Sequence, residues 1–287
     1  MSFRDILVHV DNTPRSMVRL DLATKLAAQQ GAHLTALYVV DVPPADMFYG
    51  FPSAFFDLQR AEELIARMRA SANADSERVA MAFRERIARE GIHGEWRLVE
   101  GIAGEIVALH GRYADLVVVG QCDPRAASER QCRPVELPAS ALLATGRPLL
   151  GIPYVGNFTT LGENVLIAWN GSAEAARALN DAMPILERAR KVTVLAINPK
   201  RGIRGEGELP AADIALHLAR HDIKAEAAHT LSGEITEGEA LLSYAADIGA
   251  DLLVCGLYGH SRMREMVFGG VTQSLLHEMT LPVFLAH

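Results

Sequence analysis

Four short apolar runs occur twice in this 287-residue chain, in the same order, and no other feature limits the fold as strongly. Asp5-Ile-Leu-Val-His-Val-Asp11, closed by the turn formers Asn12, Thr13 and Pro14, matches Asn164-Val-Leu-Ile-Ala-Trp-Asn170. His33 to Val40 matches Lys191 to Ile197, and Ala114-Asp-Leu-Val-Val-Val-Gly120 matches Ala250-Asp-Leu-Leu-Val-Cys-Gly256. Arg147-Pro-Leu-Leu-Gly-Ile-Pro153 matches Leu281-Pro-Val-Phe-Leu-Ala-His287. Short apolar runs bounded by turn residues read as buried strands. Between the first two strands of each set, Ser16 to Gln30 and Ser172 to Arg190 repeat apolar residues at helical spacing, and Gly31 closes the first helix. Strands alternating with helices in this way favour a parallel sheet, so the fold class is α/β.

The spacing between matched residues shows where the copies differ. Asp11 aligns with Asn170 at an offset of 159, Gly120 with Gly256 at 136, and Pro148 with Pro282 at 134, so the first copy carries 23 more residues in its middle. The surplus falls between Val42 and Gly91, where Pro43, Pro44 and a Phe-rich stretch precede a helical pattern from Gln59 to Glu90. Two domains are expected, 1–153 and 163–287, joined by the aperiodic linker Tyr154 to Gly162. Each should be an open, mostly parallel five-stranded sheet with helices on both faces, because crossovers between parallel strands are right-handed. Ligands of such sheets bind outside the carboxyl ends of the strands where the strand order reverses, which directs attention to the first and fourth strands of each half.

Composition removes several function classes. Apolar residues make up 49 % and charged residues 22 %, enough to bury a real core. No apolar run approaches the roughly 20 residues that span a bilayer. The opening MSFRDILVHVD breaks the unbroken apolar core of a signal peptide, so a cytoplasmic protein without a membrane partner is expected. Acidic residues outnumber basic ones 35 to 28, and the net charge of −7 opposes binding to nucleic acid. Cys122, Cys132 and Cys255 show no CxxC spacing, so reduced, buried thiols are expected.

The richest chemistry follows the fourth strand of the second half. Gly256-Leu-Tyr-Gly259 leads through nine residues to Gly269-Gly270-Val271-Thr272, and a helix is expected over Gln273 to Glu278. Glycines let backbone approach a phosphate closely, and amides at a helix N-terminus favour an anion. By themselves these glycines are equally those of tight turns between strand and helix. His260, Ser261, Arg262 and Arg264 lie in the same stretch, where the arginines either pair with phosphate or are solvated loop charges.

The tandem halves, Trp169-Asn170-Gly171-Ser172 after a first strand, and the G-x2-G-x9-G stretch together resemble the universal stress protein family in its two-domain form, over nearly the whole chain. The resemblance implies a Rossmann-like sheet of the adenine nucleotide alpha hydrolase-like type, with ATP, and Mg2+ accompanying it, held at strand ends. It implies that Trp169, Asn170, Gly171 and Ser172 meet adenine and ribose, that Ile197 contacts adenine, and that Gly256, Gly259, Gly269, Gly270, Val271 and Thr272 form the phosphate loop. It further implies an intramolecular pseudo-dimer through the last strands, around Pro148 to Ile152 and Pro282 to Ala286, with room for a homodimer.

The chain departs from the family's ATP-binding pattern at two positions. Asn170 stands where the pattern has Asp, and Gly270 where it has Ser or Thr, each change costing about 0.5 to 1.5 kcal/mol for a lost hydrogen bond. The first half retains Asp11, but Gly120-Gln-Cys-Asp-Pro has no second glycine, and Pro124 and Pro134 interrupt its loop.

Two further groupings stand apart. Asp213, His217 and His221, spaced by four, align on one face of a helical pattern, either as a solvated face or as zinc ligands lacking a nearby fourth. Phe48, Tyr49, Phe51, Phe55 and Phe56 crowd one loop, as a lid or partner surface or as a segment folded back on the sheet. No G-x-S-x-G elbow, HExxH helix or P-loop lysine motif is present, so no catalytic residue is assigned and any ATP hydrolysis should be slow. The expected function is regulatory: a stress-response protein binding an adenine nucleotide in its second half. The alternatives are an interaction scaffold that binds no nucleotide and a slow ATPase.

Overall fold

A strand with helices on both sides has no face in water, so it is apolar throughout rather than alternating. The computed structural model, which describes residues 2–40, 58–121, 144–199, 211–257 and 270–287, places such strands at each of the eight duplicated runs. The first copy comprises β1 (Asp5–Val10), α1 (Pro14–Gln30), β2 (His33–Val40), α2 (Leu58–Glu90), β3 (Gly94–Glu100), α3 (Ala103–Gly111), β4 (Leu116–Gly120) and β5 (Leu149–Ile152). The second comprises β6 (Asn164–Ala168), α4 (Ala173–Leu186), β7 (Lys191–Ile197), α5 (Ala212–Ala219), β8 (Ala225–Thr230), α6 (Glu237–Asp247), β9 (Leu252–Gly256), α7 (Gly270–Glu278) and β10 (Val283–Ala286).

The two five-stranded units form one ten-stranded sheet in the order β3-β2-β1-β4-β5-β10-β9-β6-β7-β8. Every neighbouring pair is parallel except β5 and β10, which pair antiparallel through Leu149 with Leu285, Leu150 with Phe284 and Gly151 with Val283. The halves therefore join through the last strands that the resemblance implied. In the first half Ile6 lies beside Leu116 and Val8 beside Val118; in the second, Val165 lies beside Leu252 and Ile167 beside Val254. The registers are the same at offsets of 159 and 136, so residues matched in sequence are matched in space.

Helices α1, α2, α4 and α5 cover one face of the sheet, over a core that includes Leu20, Phe83, Leu179 and Phe284. Helices α3, α6 and α7 cover the other, over Val107, Val117, Leu241, Leu253 and Leu275. The long helix expected over Gln59 to Glu90 is α2, and among the described residues of the second half the eight-residue α5 stands in its place. Helix α1 begins two residues before the expected Ser16, with Pro14 in its first turn, where proline's missing N–H costs nothing. Helix α4 ends at Leu186 rather than Arg190, shortly after an internal Pro184 that removes one backbone donor. Among the described residues, no helix is long and apolar enough to cross a membrane.

The join should dominate stability. Phe284 is fully buried on the central strand β10, so Phe284→Ala is expected to cost about 3–5 kcal/mol in denaturant unfolding. A loss below about 1 kcal/mol would show that the join is not tightly packed.

Candidate functional site

In the second half the chain runs from β6 outward to β7 and β8 on one side, and to β9 and β10 on the other, so a crevice opens at the carboxyl ends of β6 and β9. Trp169 extends the ladder, its N–H donating to Leu195 O at 2.9 Å, and its half-buried side chain packs on the core. Asn170 is exposed, and its Oδ1 accepts the Ser172 N–H at 3.1 Å, closing the turn that leads into α4. Gly171 occupies that turn at φ +71°, with open space where a side chain would stand. Ser172 caps α4 by accepting the Ala175 N–H at 3.1 Å.

Ile197 ends β7 half-buried beside Thr230 of β8. The next residue, Asn198, holds a left-handed conformation, and its Nδ2 donates to Ser232 Oγ at 2.9 Å and to Glu237 Oε1 at 3.1 Å. The β7 exit is thus tied to the start of α6. Packing by itself requires a glycine at 256. A Cβ there would lie 2.3 Å from the Glu174 carbonyl carbon and 2.4 Å from Ala175 N, so the first turn of α4 rests directly on the strand end. Gly270, Val271 and Thr272, read from the sequence as loop, form the first turn of α7. Gly259 and Gly269 lie outside the described residues, as do His260, Ser261, Arg262 and Arg264.

The corresponding crevice of the first half is filled from within. Arg19 of α1 is 4 % exposed and lays its guanidinium on Gly120 at the end of β4, where a Cβ would meet Nη1. Its Nε donates to His9 O at 2.6 Å, and its Nη2 donates to Asp11 Oδ2 at 2.7 Å. Asp11, the carboxylate that the first half retains, is therefore committed to Arg19, while its N–H donates to Ser16 Oγ at 2.9 Å. The residue at the position of Arg19 in the second half is Ala178, buried in the core.

Burial beside Arg19 governs titration here. The His9 imidazole is pushed down to about 4, first by burial and then by the Arg19 charge, and its Nδ1 has no hydrogen-bond partner. Burial alone would raise the Asp11 carboxyl, but Arg19, His9 and hydrogen bonds from Thr13 and Arg19 outweigh it and hold the group at about 2.

Other expected groupings fare unequally. Helix α5 stops at Ala219, which puts His221 beyond the helix; its ring meets His217 edge to face at 4.9 Å. Among the described residues, no three His, Cys, Asp or Glu side chains come together to hold a metal, so Asp213, His217 and His221 do not form a ligand set. Cys255 is buried, its thiol pushed up to about 12 by that burial, while Cys122 and Cys132 lie outside the described residues. The aromatic loop from Phe48 to Phe56 lies outside them too, as do Pro124 and Pro134. A groove lined by Ala176, Arg177, Leu179, Asn180, Ile214 and His217 runs between α4 and α5, on the helical face rather than at the strand ends. Arg19 was missed from sequence although a signal existed: it sits on the stripe Ser16, Leu20, Ala23, Ala27, where a charged residue must find a buried partner.

Residues 2–127 and 162–287 each match the model of the universal stress protein family. The chain is similar to Universal stress protein Slr1230 of Synechocystis sp., with 24 % identity over 98 % of both chains. Its fold is similar to the crystal structure of a universal stress protein from Archaeoglobus fulgidus DSM 4304, at 16 % identity and a TM-score of 0.69, covering 98 % of this chain and 97 % of the other. It is also similar to a functionally unknown protein, PA1789, from Pseudomonas aeruginosa PAO1, at 13 % identity and a TM-score of 0.57, covering 99 % and 92 %.

The first-half cluster predicts an acid sensitivity. Unfolded His9 takes a proton near pH 6.5 and the native ring near 4, so stability is full above 6.5 and declines as pH falls to about 4, by about 3 kcal/mol. Asp11 adds a lower window, its contribution present above 3.8 and lost as pH falls through about 2. Urea unfolding between pH 7 and 4 should show the upper slope in the wild type and a flatter one in His9→Leu; equal slopes would remove His9 from the account.

Proposed function

The chain belongs to the universal stress protein family, and on that footing we propose that it is a cytoplasmic stress-response protein that binds ATP in its second half, as a regulatory signal rather than a substrate. The working units are residues 1–153 and 163–287. Trp169, Asn170, Gly171, Ser172 and Ile197 receive adenine and ribose, and the phosphates meet Gly256, Gly259, Gly269, Gly270, Val271 and Thr272. Mg2+ accompanies the triphosphate.

One observation carries the choice of half. At matched positions in the same sheet register, Arg19 lays a guanidinium on Gly120 and engages the first half's carboxylate, whereas Ala178 brings no charged group to the second half, where the α4 backbone lies against Gly256 instead. Space at Gly171 and the capped start of α4 beside the strand end support the same reading. An interaction scaffold that binds no nucleotide is favoured by Asn170, whose carbonyl oxygen is already engaged with Ser172, by Gly270 in place of a hydroxyl residue, and by the degenerate first half.

Titration calorimetry with ATP and Mg2+ tests the proposal, and ATP at 100 times its dissociation constant should stabilise the protein by about 2.7 kcal/mol. Neither heat nor a rise in melting temperature at millimolar ATP would reject it in favour of the scaffold. The double variant Asn170→Asp, Ala178→Arg copies the first half's pair into the second and should weaken ATP binding at least about tenfold in a folded protein, a change of about 1.4 kcal/mol. Phosphate release over hours would mark a slow ATPase instead.

A further inference from the structure

Gln121, the residue after β4, makes a contact that crosses between the halves. It is 6 % exposed, and its N–H donates to Ile152 O at 2.8 Å, which fixes its backbone to β5. Its Oε1 accepts the Tyr154 N–H at 3.1 Å, and its Nε2 donates to Leu276 O at 3.0 Å and to His277 O at 2.8 Å. The side chain therefore uses both amide hydrogens and its oxygen. The two carbonyls it reaches belong to the last turn of α7, where a helix has no N–H of its own left to offer them.

Three facts make this more than an ordinary helix cap. First, α7 has nine residues and is about 13 Å long, so holding its C-terminus places its N-terminus, where Gly270, Val271 and Thr272 stand. Second, α6 holds the helix from the side: a Cβ on Gly238 would lie 2.7 Å from Ser274 Cβ and 3.6 Å from Val271 O. Third, the contact runs one way. The position matching Gln121 in the second half is Leu257, buried and without a side-chain donor, though its N–H makes the equivalent backbone bond to Ala286 O.

We propose that Gln121 is a positioning residue for the second half's ligand: the first half, its own crevice closed by Arg19, clamps the C-terminus of α7 and so sets where that helix presents its N-terminal amides to the phosphates. This rests on the nucleotide reading above and extends it to the residue that aims the phosphate helix. Gly120, against which Arg19 packs, directly precedes Gln121, so one strand end both closes the first crevice and steadies the second.

The test uses Gln121→Met, which keeps length and volume without the amide, and Gln121→Leu, which copies Leu257. Calorimetry with ATP, and displacement of ATP by adenosine, are run on the full chain well below its melting temperature. In the folded variants ATP should bind about five- to tenfold more weakly and adenosine unchanged, because only the phosphates meet α7. Unchanged ATP affinity, or equal weakening of ATP and adenosine, overturns the proposal. Hydrogen exchange of the α7 amides gives a readout without nucleotide: faster exchange in Gln121→Met supports the clamp, and wild-type exchange overturns it. A wild-type protein that takes up neither ATP nor adenosine rejects the nucleotide reading itself, and exchange then decides the clamp separately.

Discussion

The antiparallel pairing of β5 with β10 is the constraint on which the rest of the molecule depends. All four residues of each strand are buried, and Leu149, Leu150, Val283 and Phe284 are apolar on both faces. Neither strand is suited to an open edge, where unpaired backbone and apolar side chains would recruit another chain. Pairing them removes two unsuitable edges together and leaves β3 and β8, which are half-exposed and carry charged residues, as the outer edges of the sheet.

That join also sets which residues meet between the halves. Turning one sheet against the other in an antiparallel sense brings the exit of β4 to the end of α7, so that Gln121 reaches carbonyls 155 and 156 residues away. Gln30 at the end of α1 reaches Pro184 O in the same way, and Arg15 binds the carbonyl of Pro153 and the linker carbonyls of Val155 and Gly156. The halves are bound by shared polar contacts as well as by a shared ladder. The two copies differ in what they carry: one has a buried Arg19 and a 33-residue α2, the other Ala178 and glycines in the sequence after β9.

How far the sequence was legible depends on the range of the forces involved. The inner strands showed themselves as apolar runs, but β3 and β8 did not, because EWRLVE and AEAAHT have an exposed edge position to satisfy and no need for continuous apolarity. The helical spacing of Asp213, His217 and His221 was real, yet the helix ended at Ala219 before it could align all three. The glycine of β9 was legible in the sequence, but its close approach to the backbone of α4 was not, since that contact is made between residues about 80 positions apart.

The sequence by itself determined the duplication, the α/β class and the inner strands, because periodicity and turn chemistry act over a few residues. Only the tertiary structure decided that two sheets would become one, that Arg19 would close the first crevice, and that Gln121 would hold α7. Those outcomes depend on which strand ends become neighbours, and a buried guanidinium or amide takes its partner from whatever polar groups that arrangement brings within about 3 Å.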